Sequence, residues 1–129
     1  MDKKTLIVWQ DGRHELERMA LQLGERLAGA GFVTVVRMAS EVSIPELLAA
    51  TSYLFGADEA GNQSYEEIAR VLHGVNLAGR PAVFFGANGA AVAWLREMTK
   101  DAEIVSVAAD IVGLKPDQSA IASVLRAFA

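Results

Sequence analysis

The sequence predicts an α/β domain in which helices cover both faces of a parallel sheet. Short apolar runs without polar alternation, at residues 6–9 and 82–85, are typical of strands buried on both faces. Amphipathic segments of helical period separate these runs, and Gly and Pro mark the junctions. Strands that alternate with helices in this way favour a doubly wound parallel sheet.

Length and composition indicate one domain with a packed core. The chain has 129 residues, of which 52% are hydrophobic, so residues 1–129 are predicted to form a single domain. A net charge of −4 with scattered Lys and Arg argues against a nucleic-acid surface. The absence of Cys excludes disulfides and thiolate metal sites, and no metal site is predicted. No apolar run is long enough to span a membrane, and we expect a cytoplasmic location.

The first half of the chain predicts three strands and two helices. Strands are expected at 6–9, 32–36 and 53–56, the second because it is rich in β-branched residues. The first helix has apolar residues at helical spacing from Leu16 to Leu27 and stops at the glycines of 29–31. Ser43 and Glu46 have capping-box spacing, with Pro45 in the first turn, so a short helix follows through Leu48.

The second half predicts two further strands and three helices. Ser64 and Glu67 have the spacing of a second capping box and are expected to open a helix. The fourth strand is expected at 82–85, followed by a tight turn and a helix around Leu95. The fifth strand is expected at 104–107, and the pair at 116–117 is expected to open the last helix.

Four segments resemble the flavodoxin family. Residues 6–9 resemble its first strand, and 25–32 resemble the end of its first helix with the turn into strand two. Residues 76–86 resemble the lead into strand four with its Phe-Gly turn, and 101–105 the entry to strand five. The resemblance covers nearly the whole chain. It implies a flavodoxin-like three-layer sandwich, with a five-stranded parallel sheet of order 2-1-3-4-5 and helices on both faces.

The resemblance also implies a site for FMN at the edge where the strand order reverses. Three loops hold the flavin in the family, and they correspond here to residues 10–16, about 57–63, and 87–92. The candidate cofactor-binding or ligand-binding residues in these loops are Asp11, Gly12, Arg13, His14, Glu15, Ala57, Asp58, Gly61, Ala87, Asn88 and Gly89.

The departures from the family fall on those same loops. The family's phosphate loop is rich in Ser and Thr, whereas this chain has Asp11 and Glu15, which would repel a phosphate. Helix capping is the alternative interpretation of residues 11–15. The loops at 57–63 and 87–92 contain no aromatic residue to stack on the flavin ring, and Tyr65 and Trp94 are predicted to be structural. FMN is therefore expected to be absent or weakly bound.

The resulting hypothesis is a flavodoxin-like protein with a degenerate FMN site. It would act through a protein partner or another small ligand rather than as a stand-alone enzyme. One alternative is a working FMN-binding electron carrier. The other is a pseudo-receiver interaction module, since Asp11, Asp58 and Lys115 are available, although strand four ends in Gly86-Ala87 without the hydroxyl of a receiver. The oligomeric state is left open.

Overall fold

A computed structural model of the protein describes residues 3–113, 115 and 118–129. The strands form one parallel sheet of order β2-β1-β3-β4-β5, with a short β6 that also pairs with β4. The strands are β1 (Lys4–Trp9), β2 (Val33–Met38), β3 (Ser52–Ala57), β4 (Pro81–Gly86), β5 (Val105–Ser106) and β6 (Ile111–Val112). The helices are α1 (His14–Gly29), α2 (Ile44–Ala49), α3 (Glu66–Gly74), α4 (Gly89–Thr99) and α5 (Gln118–Phe128). The predicted strand order is confirmed.

The sheet separates two apolar cores because successive side chains on each strand point to opposite faces. Leu6 and Val8 of β1 pack with α2, α3 and α4, whereas Ile7 and Trp9 pack with α1 and α5. Phe84 of β4 is 1% exposed and belongs to the first core. Burial on both faces explains why the central strands lack polar alternation. The three layers agree with the predicted sandwich.

The fifth position of the sheet differs from the prediction of one continuous strand at 104–107. β5 pairs with Pro81 and Ala82 at the start of β4, and β6 pairs with Phe85 and Gly86 at its end. The chain between β5 and β6 leaves the sheet, and Arg96 of α4 forms an ion pair with Asp110 there. The fifth position therefore consists of two short segments.

Helix starts are partly as predicted. Ser43 and Glu46 form a reciprocal capping box at α2. The predicted capping box at Ser64 is wrong, because residues 63–65 form a 3₁₀ turn and α3 begins at Glu66 with Tyr65 as its N-cap. The pair at 116–117, predicted to open α5, lies outside the described residues. Across the described part of the chain, no helix combines the length and apolar character needed to cross a membrane.

Candidate functional site

Three loops meet at the carboxyl edge of β1, β3 and β4. Trp9 is in register with Gly56, and Ala57 is in register with Gly86, so the three strands end side by side. The candidate residues predicted from the sequence lie on or beside these loops. Ala57 is the buried last residue of β3, and Gly89 is the first residue of α4. The fold thus brings the predicted loops together at the point where the strand order reverses.

Gln10 joins the first loop to the second. Its side chain is buried, at 5% exposure, directly after β1. Its Oε1 accepts the backbone N–H groups of Asp58 (2.8 Å) and Glu59 (3.1 Å), and its Nε2 donates to Glu59 Oε1 (3.3 Å). A buried amide whose acceptor and donor both have partners holds the two loops in one fixed relation.

Asp58 and Asn88 join the second loop to the third. Asn88 Nδ2 donates to the Asp58 carbonyl (2.9 Å), while Asn88 Oδ1 accepts the Ala91 N–H (2.8 Å) and caps α4. The Asp58 carboxyl accepts the Ala87 N–H, and its Oδ1 is buried without a hydrogen-bond partner among the described residues. Burial raises the pKa of the Asp58 carboxyl, and Arg13 and the Ala87 N–H partly offset this.

The turn into α1 combines a left-handed glycine with an ion pair. Gly12 has a φ of +76°, a conformation that favours glycine. Arg13 is the N-cap residue of α1, makes no side-chain cap hydrogen bond, and pairs instead with Glu59. His14 is largely exposed and lies 3.8 Å from Glu17, and Glu15 adds a carboxylate to the first turn. The N–H groups at the start of the helix carry partial positive charge, and Glu15 and Glu17 place two carboxylates in its first turn.

Asp11 reaches across to the loop after β2. Its Oδ1 accepts the Ser40 backbone N–H (3.1 Å), and its Oδ2 accepts the Ser40 hydroxyl. Its own N–H donates to Ser64 Oγ (3.4 Å). The interpretation of Asp11 as a cap of α1 is therefore wrong, because its carboxylate faces Ser40 and the N-cap is Arg13.

An open groove of about 600 Å³ lies between the first and second loops. Gln10 and Asp11 form one wall, and residues 59–64, which include the left-handed Gly61, form the other. The walls carry amide, hydroxyl and carboxylate groups and no aromatic side chain. Within the described residues, no group of three or more His, Cys, Asp and Glu side chains is placed to hold a metal ion.

Tyr65 and Trp94 are packed against each other and belong to the core beneath the loops. The Tyr65 ring is fully buried, its O–H donates to the Gly56 carbonyl (2.7 Å), and it accepts the Gly56 N–H (3.1 Å). Burial raises the pKa of the Tyr65 phenol well above its usual value. Trp94 meets Tyr65 edge to face, with 5.7 Å between ring centroids. The structural role predicted for both rings agrees with these contacts.

The sequence interpretation missed two residues that organise the site. Gln10 was expected only as a loop residue, and Glu59 only as part of the second loop, yet Gln10 donates to Glu59 directly and Glu59 also pairs with Arg13. The available signal was a single polar residue directly after a buried apolar run. A side chain at that position remains inside the sheet edge and must find hydrogen-bond partners there.

Several solved flavodoxins share this architecture. A short-chain flavodoxin associated with a non-canonical PDU bacterial microcompartment superposes with a TM-score of 0.81 at 15% identity, covering 98% of this chain and 94% of the other. A flavodoxin from Streptococcus pneumoniae TIGR4 gives 0.78 at 15% identity, covering 97% and 94%. Oxidised Flavodoxin 2 from Bacillus cereus gives 0.77 at 21% identity, covering 97% of each chain. The chain therefore has the flavodoxin fold.

Sequence comparison gives no closer assignment. No protein-family model matches the chain, and no curated protein sequence matches it. Likeness at 15–21% identity establishes the shared fold. What the loops bind must therefore be argued from the loops themselves.

Three features of these loops bear on FMN, the cofactor that the fold implies. Asn88 of the third loop donates to the Asp58 carbonyl of the second loop, so these two loops are in direct contact. No aromatic residue occurs at 57–63 or 87–92 to stack on a ring. At the phosphate end, Glu15 stands in the first turn of α1, where a dianion would need to approach.

Proposed function

We propose that this flavodoxin-fold domain acts through a protein partner or another small ligand bound at the three loops, and not as an FMN-loaded electron carrier. The observation that carries the proposal is the network in which Gln10 and Asn88 tie Asp58 from both sides. Entry of a flavin ring between the second and third loops would break the bond from Asn88 to the Asp58 carbonyl, and an intramolecular hydrogen bond of this kind contributes about 0.5–1.5 kcal/mol. The absence of Cys suits a reducing compartment, so we place the protein in the cytoplasm.

The groove beside the network supports the choice of ligand class. It is polar and open, and Asp11 and Glu59 give it acidic character. A small polar molecule, or a polar side chain of a partner, can bind there without displacing the Gln10 contacts. Neither occupant requires the protein to carry out covalent chemistry, which agrees with the absence of a nucleophile motif in the sequence.

Titration of the purified protein with FMN, followed by quenching of flavin fluorescence, tests the proposal. We expect a dissociation constant weaker than about 1 μM, equivalent to a binding free energy of about −8 kcal/mol. Glu15→Thr, which removes the carboxylate from the first turn of α1, should tighten the binding of FMN only modestly. Glu25→Thr, an exposed change near the other end of the same helix, is the matched control. Stoichiometric binding below about 1 μM by the unmodified protein would refute the proposal.

A working FMN electron carrier is the second candidate, and one observation favours it. α1 begins at His14, and its N-cap residue Arg13 makes no side-chain cap hydrogen bond, so the first N–H groups of the helix are left for an anion. Were FMN bound, it would supply the redox chemistry, and Gly12 and Arg13 of the first loop would hold its phosphate. Flavin absorbance in protein purified from cells would favour this candidate.

A further inference from the structure

β2 forms an open edge of the sheet. β1 pairs with it on one side, and no strand of the described residues pairs with it on the other. The Val33 N–H donates to the Lys3 carbonyl (2.9 Å), so this residue directs its backbone groups towards β1. In a parallel ladder the alternate residues Thr34, Val36 and Met38 then direct their N–H and C=O groups outward. These three residues are therefore the ones through which β2 could pair with another strand.

A cavity lies against this edge on each face of the sheet. The cavity on the α1 face measures about 280 Å³ and lies between Leu21, Val36 and Met38. The cavity on the opposite face measures about 110 Å³ and lies between Val35 and the end of α2. Leu21 is 50% exposed beside the edge. An added strand could place alternate side chains into the two cavities.

The charges at the two ends of β2 differ in sign on the α1 face. At the amino end, the Lys3 ammonium lies 5.8 Å from the centre of the Phe32 ring. At the carboxyl end, Glu41 lies three residues after Met38 and lines the α1-side cavity with Glu17, so that two carboxylates face one basic residue of that cavity, Arg37. An antiparallel copy of the same edge would bring each basic end beside an acidic end. The edge is therefore complementary in charge to itself.

We propose that β2 pairs antiparallel with β2 of a second copy of this chain, about a two-fold axis at Val36. This register sets Val36 opposite its own copy and Thr34 opposite Met38, so that outward-facing backbone groups meet each other. The axis runs perpendicular to the sheet and keeps the α1 faces on the same side. Lys3 of each copy then approaches Glu41 of the other, and the two sheets join into one.

In the single chain, the Arg37 side chain bonds to a backbone group of this edge. Its Nη1 donates to the Val36 carbonyl (3.1 Å), the central acceptor of the proposed pairing, while its Nε donates to Glu46 (3.1 Å). Charged side chains commonly protect edge strands from unwanted pairing. Pairing of two copies requires each guanidinium to leave the Val36 carbonyl, so removal of Arg37 should strengthen the dimer.

Sedimentation equilibrium of the full chain, between about 1 μM and about 1 mM, tests the proposal. We expect a reversible monomer–dimer equilibrium. Lys3→Glu and Glu41→Lys should each weaken it about tenfold, and the double variant should restore it. Arg37→Ala should tighten it severalfold, whereas Arg70→Ala, which removes a similar exposed Arg–Glu pair far along the chain, should not change it. Circular dichroism establishes that each variant is folded.

Two results would overturn the proposal. One is a monomer at every concentration, with Arg37→Ala equally monomeric. The other is a dimer that persists in Lys3→Glu and Glu41→Lys but is lost in Val112→Glu, a change at the opposite edge of the sheet, where the valine is 57% exposed. That outcome would assign self-association to the β5 and β6 edge.

Discussion

The strands β1, β3 and β4 and the loops that follow them are held by different forces. The strands carry buried apolar side chains on both faces, with Val8, Phe55 and Phe84 in one core and Ile7, Leu54 and Val83 in the other. The loops a few residues further on are held by hydrogen bonds of Gln10, Asp58 and Asn88. Apolar burial is non-directional, so one apolar residue can replace another of similar size, whereas a hydrogen-bond network depends on particular donor and acceptor atoms. The fold can therefore persist while the binding properties of its loops change.

Phe84→Ala should produce the largest loss of stability because it removes a buried aromatic ring from the central strands. Phe84 is 1% exposed and lies 6.2 Å from Phe55 between ring centroids. We expect a loss of about 3–5 kcal/mol in the free energy of unfolding, measured by urea denaturation. Val112→Ala, at an exposed valine, is the control and should change stability little. A loss below about 1 kcal/mol for Phe84→Ala would mean that β4 is not central.

Gly86→Ala tests the junction between strand and loop. A Cβ at Gly86 would overlap the backbone carbonyl oxygen of Ala57, which cannot move without displacing β3. We expect a loss of about 1–3 kcal/mol in the free energy of unfolding. Gly89→Ala, three residues further on in open space at the start of α4, should be neutral or stabilising. Equal effects of the two changes would contradict the close approach of β3 and β4.

Gln10→Ala tests the hydrogen bonds that hold the loops. The change removes the acceptor for the Asp58 and Glu59 N–H groups, and we expect a loss of about 1–3 kcal/mol in the free energy of unfolding. Hydrogen exchange at those two amides should accelerate more than exchange in β3. Gln63→Ala, at an exposed glutamine of the same groove, is the control. Unchanged exchange at both amides would show that Gln10 does not hold the second loop.

The pH dependence of stability should reveal the burial of Asp58. Its pKa is raised in the folded protein, so the folded state binds more protons than the unfolded chain between the unfolded and folded pKa values. The contribution of this carboxyl to stability therefore falls as the pH rises through that window. We expect the unfolding free energy of the wild type, relative to Asp58→Asn, to decline over the same window. A relative rise there would contradict the direction of the shift.

The resemblance to flavodoxins implied the strand order, and the apolar pattern of β1 and β4 predicted the two-sided sheet, because burial on both faces leaves such a pattern continuous. The sequence did not predict the split fifth position, since Val105 and Val112 are β-branched whether or not the chain between them pairs. It also missed the 3₁₀ turn at Ser64, where a capping-box spacing occurs without its geometry. Gln10 bonds to residues that lie 48 and 49 positions further along the chain, so local sequence patterns could not predict these contacts.

The proposed function requires that a flavin ring does not separate the second and third loops, which the bond from Asn88 to Asp58 joins. An amide NMR spectrum of the ¹⁵N-labelled protein, recorded with and without FMN, tests this most directly. The account predicts that the resonances of Asp58, Glu59 and Asn88 remain in place at FMN concentrations of about 100 μM, well above those that saturate a tight site. Saturable shifts at these three amides at stoichiometric FMN would contradict it.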